Sequence, residues 1–404
     1  LQRYNFLLRN CYFYPIILGW ETLVNLNSCF MKRSILLLSL FVVLIGCQKE
    51  QKKRNTTSII IDNVVDSISF DSIVKEYQYI ELSQDKEFVF GEINQIIIND
   101  DHIFVSSDGV YCYDMKGFPI FKITNKGHAR NEFTECTSIS VNKGIIYLYD
   151  RQTKLIHRYN SKNGSFIDNV SVPLVSRDIY RVDKGYVIND PYPTDFYNGD
   201  ARIITTKDFS ELDGEYLEEK QYHYMPRDGQ VTYCGKSVLF ADYEGHSIFS
   251  FDLNGWKEYD IQCRDVKMVP QHILEKRGEQ PLDDIDGSYT YGLSMAYEND
   301  NYLIGSYEWG VPLKFIYNKR TNKAISFLFY YSENYRLSPY DIRGTYKDYF
   351  IGIITPDDFE FLKLAYGFGS PLPTAHPEHE RQKLLMEHRV DGNPIIALYR
   401  FKDF

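Results

Sequence analysis

The sequence predicts an all-β chain folded as a six-bladed β-propeller, and three observations carry that prediction. Short apolar strands recur, anchored at Phe104, Tyr147, Val187, Leu239, Leu303 and Phe350, at steps of 43, 40, 52, 64 and 47 residues. Propeller repeats commonly run ~40–50 residues. One unit, residues 136–172, divides into four strands separated by turn signals at Asn142-Lys143-Gly144 and Asn163-Gly164. Four antiparallel strands joined by tight turns make one blade. The chain also carries 34 Tyr and 26 Phe, residues that favour half-buried strands.

The elements follow in order. Residues 1–30 are aromatic-rich and lack a cationic start; they read as a non-native upstream extension. Residues 31–46 read as a signal peptide: Lys32 and Arg33 precede an apolar run from Ile35 to Ile45. That run is too short to span a bilayer, which takes ~20 residues. Its ending, Leu44-Ile45-Gly46-Cys47, resembles the lipobox of bacterial lipoproteins. The resemblance implies cleavage before Cys47 and lipid attachment at Cys47.

Residues 47–58 are polar and read as a lipidated, flexible tether, and residues 59–404 as the propeller. In the clearest unit the strands are Cys136–Val141, Ile145–Tyr149 ending in Asp150, Leu155–Tyr159 and Phe166–Val172. The longer steps are expected to hold short helical or loop insertions, notably Val266 to Gly292. The run Pro394–Phe401 looks like a third strand with nothing after it, and Tyr77–Leu82 like an outer strand before the first full blade. Pairing of these two would close the ring with strands from both ends of the chain, leaving few exposed edges.

Without residues 1–46 the balance is 41 basic against 54 acidic residues, a net charge of −13. Such a surface repels phosphate backbones, which argues against nucleic acid as a partner. Cys112, Cys136, Cys234 and Cys263 show no CxxC or zinc spacing and lie in strand-like runs. Disulfides are permitted outside the cytoplasm, but buried free thiols are the expected state.

Lys126-Gly-His-Ala-Arg-Asn-Glu-Phe133 and the close Asn393-Pro-Ile-Ile-Ala-Leu-Tyr399 resemble motifs of the six-bladed β-propeller lipoproteins of Bacteroidetes, which are related in pattern to NHL-type propellers. Gly127, Glu132 and Phe133 match the family's turn; Ala129, Arg130 and Asn131 depart from it. Asn131 is expected to take a positive φ there. The resemblance covers about residues 59–404. It implies the fold but little of the function, because propellers host many unrelated activities.

Three sets of residues are candidates for chemistry. Asp150, Asp190 and Asp242 end the second strands of consecutive blades, and three carboxylates around one mouth would suit Ca²⁺. The same position also suits ordinary turn chemistry, in which Asp bonds nearby backbone N–H groups. His376, His379 and His388 invite zinc, but their spacing is wrong for one helix face and no fourth ligand is evident. Tyr192, Phe196, Tyr197, Tyr307 and Trp309 follow the second strands of blades three and five and would offer stacking area to a sugar or peptide. There is no Gly-rich phosphate loop and no G-x-S-x-G elbow.

The sequence thus points to a lipid-anchored, extracytoplasmic propeller. It would serve as a binding or scaffolding module for a glycan, peptide or protein partner at the outer membrane, with no cofactor expected. The alternatives are a Ca-dependent hydrolase or lactonase of the six-bladed propeller type and a structural subunit of an outer-membrane complex.

Overall fold

The computed structural model describes residues 55–404, except 200, 219–230, 243–244, 265–266, 269–288, 291, 308–312, 332–340 and 359–391. The extension, the signal segment, Cys47, Trp309 and the three clustered histidines lie outside the described residues.

The described chain is a ring of six four-stranded antiparallel blades. Its first three strands are β1 (Asn55–Ile61), β2 (Val64–Ser69) and β3 (Val74–Glu81). Blade one follows as β4 (Gln95–Asn99), β5 (His102–Ser106), β6 (Val110–Asp114) and β7 (Pro119–Ile123). Blade two is β8 (Ser138–Asn142), β9 (Ile145–Asp150), β10 (Leu155–Asn160) and β11 (Phe166–Ser171). Blade three is β12 (Ser176–Val182), β13 (Gly185–Pro191), β14 (Ala201–Thr206) and β15 (Gly214–Glu218). Blade four is β16 (Val231–Tyr233), β17 (Val238–Ala241), β18 (Ser247–Asp252) and β19 (Gly255–Cys263).

Between blades four and five, β20 (Lys267–Met268) pairs in parallel with β21 (Tyr289–Thr290). The described part of the expected helical insertion is therefore a strand pair. Blade five is β22 (Leu293–Glu298), β23 (Tyr302–Tyr307), β24 (Leu313–Asn318) and β25 (Lys323–Tyr331). Blade six is β26 (Asp341–Tyr346), β27 (Tyr349–Ile354) and β28 (Ile395–Phe401), completed by β3. β3 runs antiparallel to β28, from Val74 beside Phe401 to Glu81 beside Ile395. The two ends of the chain thus close the ring, as the sequence implied.

All six anchors sit on the second strands. Phe104, Val187, Leu239, Leu303 and Phe350 have no exposed surface and Tyr147 is buried. Each packs apolar area between adjacent blades. The innermost strands are also joined by polar contacts: the Ser138 hydroxyl donates to Ile179 O and accepts from Ile179 N, both at 3.2 Å. Arg181 N donates to Ser140 Oγ at 2.8 Å, and Ile139 N to Gln95 Oε1 at 3.1 Å. Buried serines on β8 therefore satisfy backbone groups that have no ladder partner on the channel side. Tyr233 of blade four reaches across to Val141 O of blade two at 3.1 Å and stacks on Tyr180 at 5.5 Å.

One feature lies beyond the sequence reading. β1 adds to blade four in parallel with β19, and β2 adds to blade five in parallel with β25. A single N-terminal segment thus supplies the outermost strand of three successive blades. β1 begins at Asn55, inside the stretch read as tether, and buries Ile59 and Ile61 against blade four. The helical turns Phe70–Ile73 and Lys86–Phe88 flank β3, and residues 356–358 are helical at the start of the connection after β27.

Strand alternation sorts the connections onto two faces. The first-to-second and third-to-fourth strand turns share one face and are short, as at Lys143-Gly144, where φ is 49° and 77°. Ser161 N donates to Gly144 O at 3.0 Å, tying two such turns together. The second-to-third strand connections and the links between blades share the opposite face. Every long connection, including those spanning residues 264–292 and 355–394, leaves from and returns to that face.

Candidate functional site

The long-connection face places the sequence candidates, and it separates them. Asp150 ends β9 with no exposed surface. Its carboxylate accepts from Thr134 N at 2.7 Å, Thr134 Oγ1 at 2.9 Å, Gln152 N at 3.0 Å and Thr153 N at 3.3 Å. Burial alone would raise its pKa, but the bonds from Thr134 and Thr153 outweigh burial and hold it below the usual carboxylate range. Its lone pairs are thus committed to the turn. Asp190 has φ 53° and pairs with Arg202 Nη1 at 2.7 Å. Asp242 accepts through its backbone oxygen from Gly245 N at 3.2 Å and Leu293 N at 3.0 Å. The three carboxylates do not converge. Among the described residues no three His, Cys, Asp or Glu side chains form a metal-binding group. The expected carboxylate mouth is corrected on these grounds: at Asp150 in particular, the repeated strand-end position is turn chemistry.

The aromatic set divides as well. Tyr192 is 49% exposed, beside the exposed Pro193. Phe196 is half-buried against the cluster of blades two and three. Tyr197 and Tyr307 are interior residues, 3% and 1% exposed, and are withdrawn as ligand platforms. Tyr197 Oη accepts from Ala201 N at 2.5 Å, clamping its own loop. Tyr307 Oη meets His246 Nδ1 at 3.2 Å, and burial raises its pKa strongly.

The Gly127 turn forms by a different device from the one expected. Gly127 N donates to Phe133 O at 3.0 Å, and Glu132 folds back so that Ala129 N donates to its Oε2 at 2.9 Å. An added Cβ on Gly127 would lie 2.0 Å from that carboxylate oxygen, so a larger residue would displace the Glu132 side chain from its bond to Ala129 N. Asn131 keeps a negative φ.

Sequence reasoning missed the polar cluster at the channel mouth between blades two and three. Asp178 lies on the innermost strand β12, at the end nearest the long connections, opposite Asn189 of β13. Asn189 Nδ2 donates to Asp178 Oδ2 at 2.9 Å. Burial pushes the Asp178 carboxyl up, against the lowering effect of Asn189, Arg177 and Arg151. Arg151 Nη2 pairs with Glu135 Oε1 at 3.1 Å nearby in sequence, and Asp190 and Arg202 form the next pair. No linear motif marks Asp178; only the strand order brings it to the mouth.

A second concavity on this face lies at the edge of blade four. It is an open cavity of about 230 Å³ lined by His246, Asp260, Ile261, Gln262, Cys263 and Arg264. Burial lowers the His246 pKa, and Asp260 and Asp242 oppose that shift. The imidazole is therefore biased toward the neutral form at its contact with Tyr307. Cys112, Cys136 and Cys234 are free thiols, the first two buried and Cys234 half-buried, and Cys263 is buried.

These features define a six-bladed propeller whose long connections gather on one face. The chain belongs to the family described as a domain of unknown function (DUF4934), whose model matches residues 56–400. Among solved structures it is similar to a Bacteroides fragilis protein described as exported, at 16% identity and a TM-score of 0.70, covering 86% of this chain and 100% of that one. Weaker likenesses include AztD of Citrobacter koseri (11% identity, TM-score 0.33, 58% of this chain and 61% of that one). Another is an ancestral GH74 enzyme (10% identity, TM-score 0.33, 69% and 35%). At these identities the likeness concerns the fold alone. No curated protein matches the sequence.

Proposed function

We propose that this chain is a lipid-anchored, extracytoplasmic binding or scaffolding module, whose long-connection face engages a glycan, peptide or protein partner. The observation that carries this reading is the asymmetry of the two faces. One carries connections of at most seven residues, while the other gathers every longer connection, the polar cluster at Asp178 and the exposed Tyr192. An exposed ring beside paired charges supplies stacking area and directional hydrogen bonds, the combination that sugars and peptides require. The lipobox-like Cys47 and the similarity to an exported protein support placement outside the cytoplasm. No helix among the described residues is long and apolar enough to cross a membrane.

A metal-dependent hydrolase has less support, because the Asp150 carboxylate is spent on its turn and that of Asp190 on Arg202. One observation keeps a hydrolytic reading in view. Asp178 is a carboxyl with a raised pKa, the property a general acid needs.

The test uses the secreted chain lacking its anchor. Calorimetric titration with polysaccharides and peptides should reveal a ligand whose affinity falls in Tyr192→Ala and is unchanged in Lys162→Ala on the opposite face. Melting after EDTA treatment should not respond to Ca²⁺. A saturable rise with Ca²⁺, or ester or lactone hydrolysis abolished by Asp178→Asn, would replace the module with an enzyme.

A further inference from the structure

We propose that Arg181 marks a second binding site, between blades two and three at their tight-turn end, and that this site takes the carboxylate of a small organic acid. It lies at the opposite end of the blades from Asp178 and Tyr192 and uses neither residue.

Arg181 stands on the innermost strand β12, opposite Tyr186 of β13 and next to the turn at residues 183–184. Its backbone N–H is fixed to Ser140 Oγ of blade two at 2.8 Å. The guanidinium lies over the Tyr186 ring at 4.8 Å and over the Tyr147 ring of blade two at 5.8 Å. The two rings meet edge to face, with centroids 6.2 Å apart. Aromatic faces from two blades therefore hold the cation, and they attract it without neutralising it.

What the cation lacks is a counter-charge. Among the described residues Arg151, Arg158, Arg202, Arg264, Arg320 and Arg400 each have a carboxylate within ion-pair distance. Arg181 has none. Asp168 is committed to the Arg158 fork, and Asp183, two residues beyond Arg181, accepts from Asn142 Nδ2 at 3.3 Å. Arg181 Nε is sealed from water with no hydrogen-bond partner, while the terminal nitrogens are not sealed. The residue as a whole is half-buried. A partly desolvated charge without an acid partner is costly to keep. An anion at the terminal nitrogens would supply what the fold does not.

The local charge selects the ligand. Arg158 acts on both tyrosines, but its own charge is spent on Asp168, so one cation is left uncompensated. A monoanion balances it. A carboxylate is the planar monoanion whose two oxygens match the guanidinium fork. Burial pushes the Tyr186 phenol up, so its hydroxyl stays protonated beside the site. Asn142 Nδ2 and Lys143 Nζ both donate to Asp183, each at 3.3 Å, and tie the two neighbouring turns together. Between tied turns a small molecule is a better fit than a folded surface.

The experiment is calorimetric titration of the full chain with D-galacturonate and with acetate, against galactose, sulfate and phosphate. The variants are Arg181→Met, which keeps an apolar stem between the rings, Arg181→Lys, which keeps the charge without the fork, and Tyr192→Ala. Both carboxylates should bind saturably and compete, and galactose should give no signal. Affinity should fall about tenfold or more in Arg181→Met and by less in Arg181→Lys. It should be unchanged in Tyr192→Ala, so this site and the proposed partner face fail separately. If circular dichroism shows Arg181→Met unfolded, the parent and Arg181→Lys decide. No saturable carboxylate binding, equal affinity in parent and Arg181→Lys, or binding of galactose as tight as galacturonate would overturn the site. Tighter binding of sulfate or phosphate than of either carboxylate would overturn the ligand assignment.

Discussion

Asp150→Ala is expected to destabilise the fold by several kcal/mol and to change no metal response. The side chain is fully buried and accepts from two backbone amides, the Thr134 hydroxyl and, more weakly, Thr153 N. A hydrogen bond to a charged group contributes about 1.5–3 kcal/mol. These bonds share one carboxylate, and a freed loop regains some water, so the total falls below their sum, at about 3–5 kcal/mol. Asp150→Asn keeps one acceptor oxygen and should lose roughly half as much.

The pH dependence has a definite sign. The folded pKa of Asp150 is lowered, so its contribution is present above the unfolded value of ~3.9 and is lost as pH falls through the folded value. Urea denaturation followed by tryptophan fluorescence at pH 7 and pH 3 reads both effects. The variant should be weaker at pH 7 and lose less between the two pH values than the parent. Unchanged stability in Asp150→Ala would refute the turn role. So would calcium stabilisation of the parent that vanishes in the variant.

Other consequences follow from the same packing. Ile59→Ala and Ile61→Ala should each cost about 2–4 kcal/mol, and hydrogen exchange should show β1 amides losing protection before those of β17. His157 is buried with its Nε2 3.9 Å from Asp150 Oδ2; burial lowers its pKa and Asp150 opposes the shift. A lowered histidine pKa means stability that is full above the unfolded value of ~6.5 and declines as pH falls below it. His157→Gln should therefore flatten the stability profile between pH 7 and 5, and an unaltered slope would exclude this histidine as its source. In the native state Cys112 and Cys136 should react with a disulfide reagent only as fast as the protein unfolds. Rapid modification of both without unfolding would contradict their burial.

The legible part of this fold was the part written locally. Phe104 or Phe350 could be found because a strand, a turn and the next strand lie within one window, and each apolar centre recurs with the blade. The strands β1 and β2 were missed for the complementary reason. Thr56 bonds to Glu258 across 202 residues, and a parallel pairing of that separation leaves no turn beside it to announce it. The segment around Asn55 looked like tether because its polar side chains face water, while Ile59 and Ile61 alternate inward. Tyr307 looked like a loop aromatic, but it is the last residue of β23 and its side chain falls on the buried side.

The same distinction bears on where function should be sought. A residue that recurs at one place in each blade meets the same backbone problem each time. Asp150 solves it by capping Thr134 and the following turn, and that leaves it no free oxygen for a ligand. Asp178 occurs once, on an innermost strand, with its charge disfavoured by burial and balanced by Asn189 and two arginines. Tyr192 likewise stands on a connection that no other described blade reproduces. In a ring of repeats, the stabilising chemistry is periodic and the recognition chemistry is what breaks the period. On that argument the mouth between blades two and three, with Asp178 inside and Tyr192 at its rim, is the place to introduce the first substitutions.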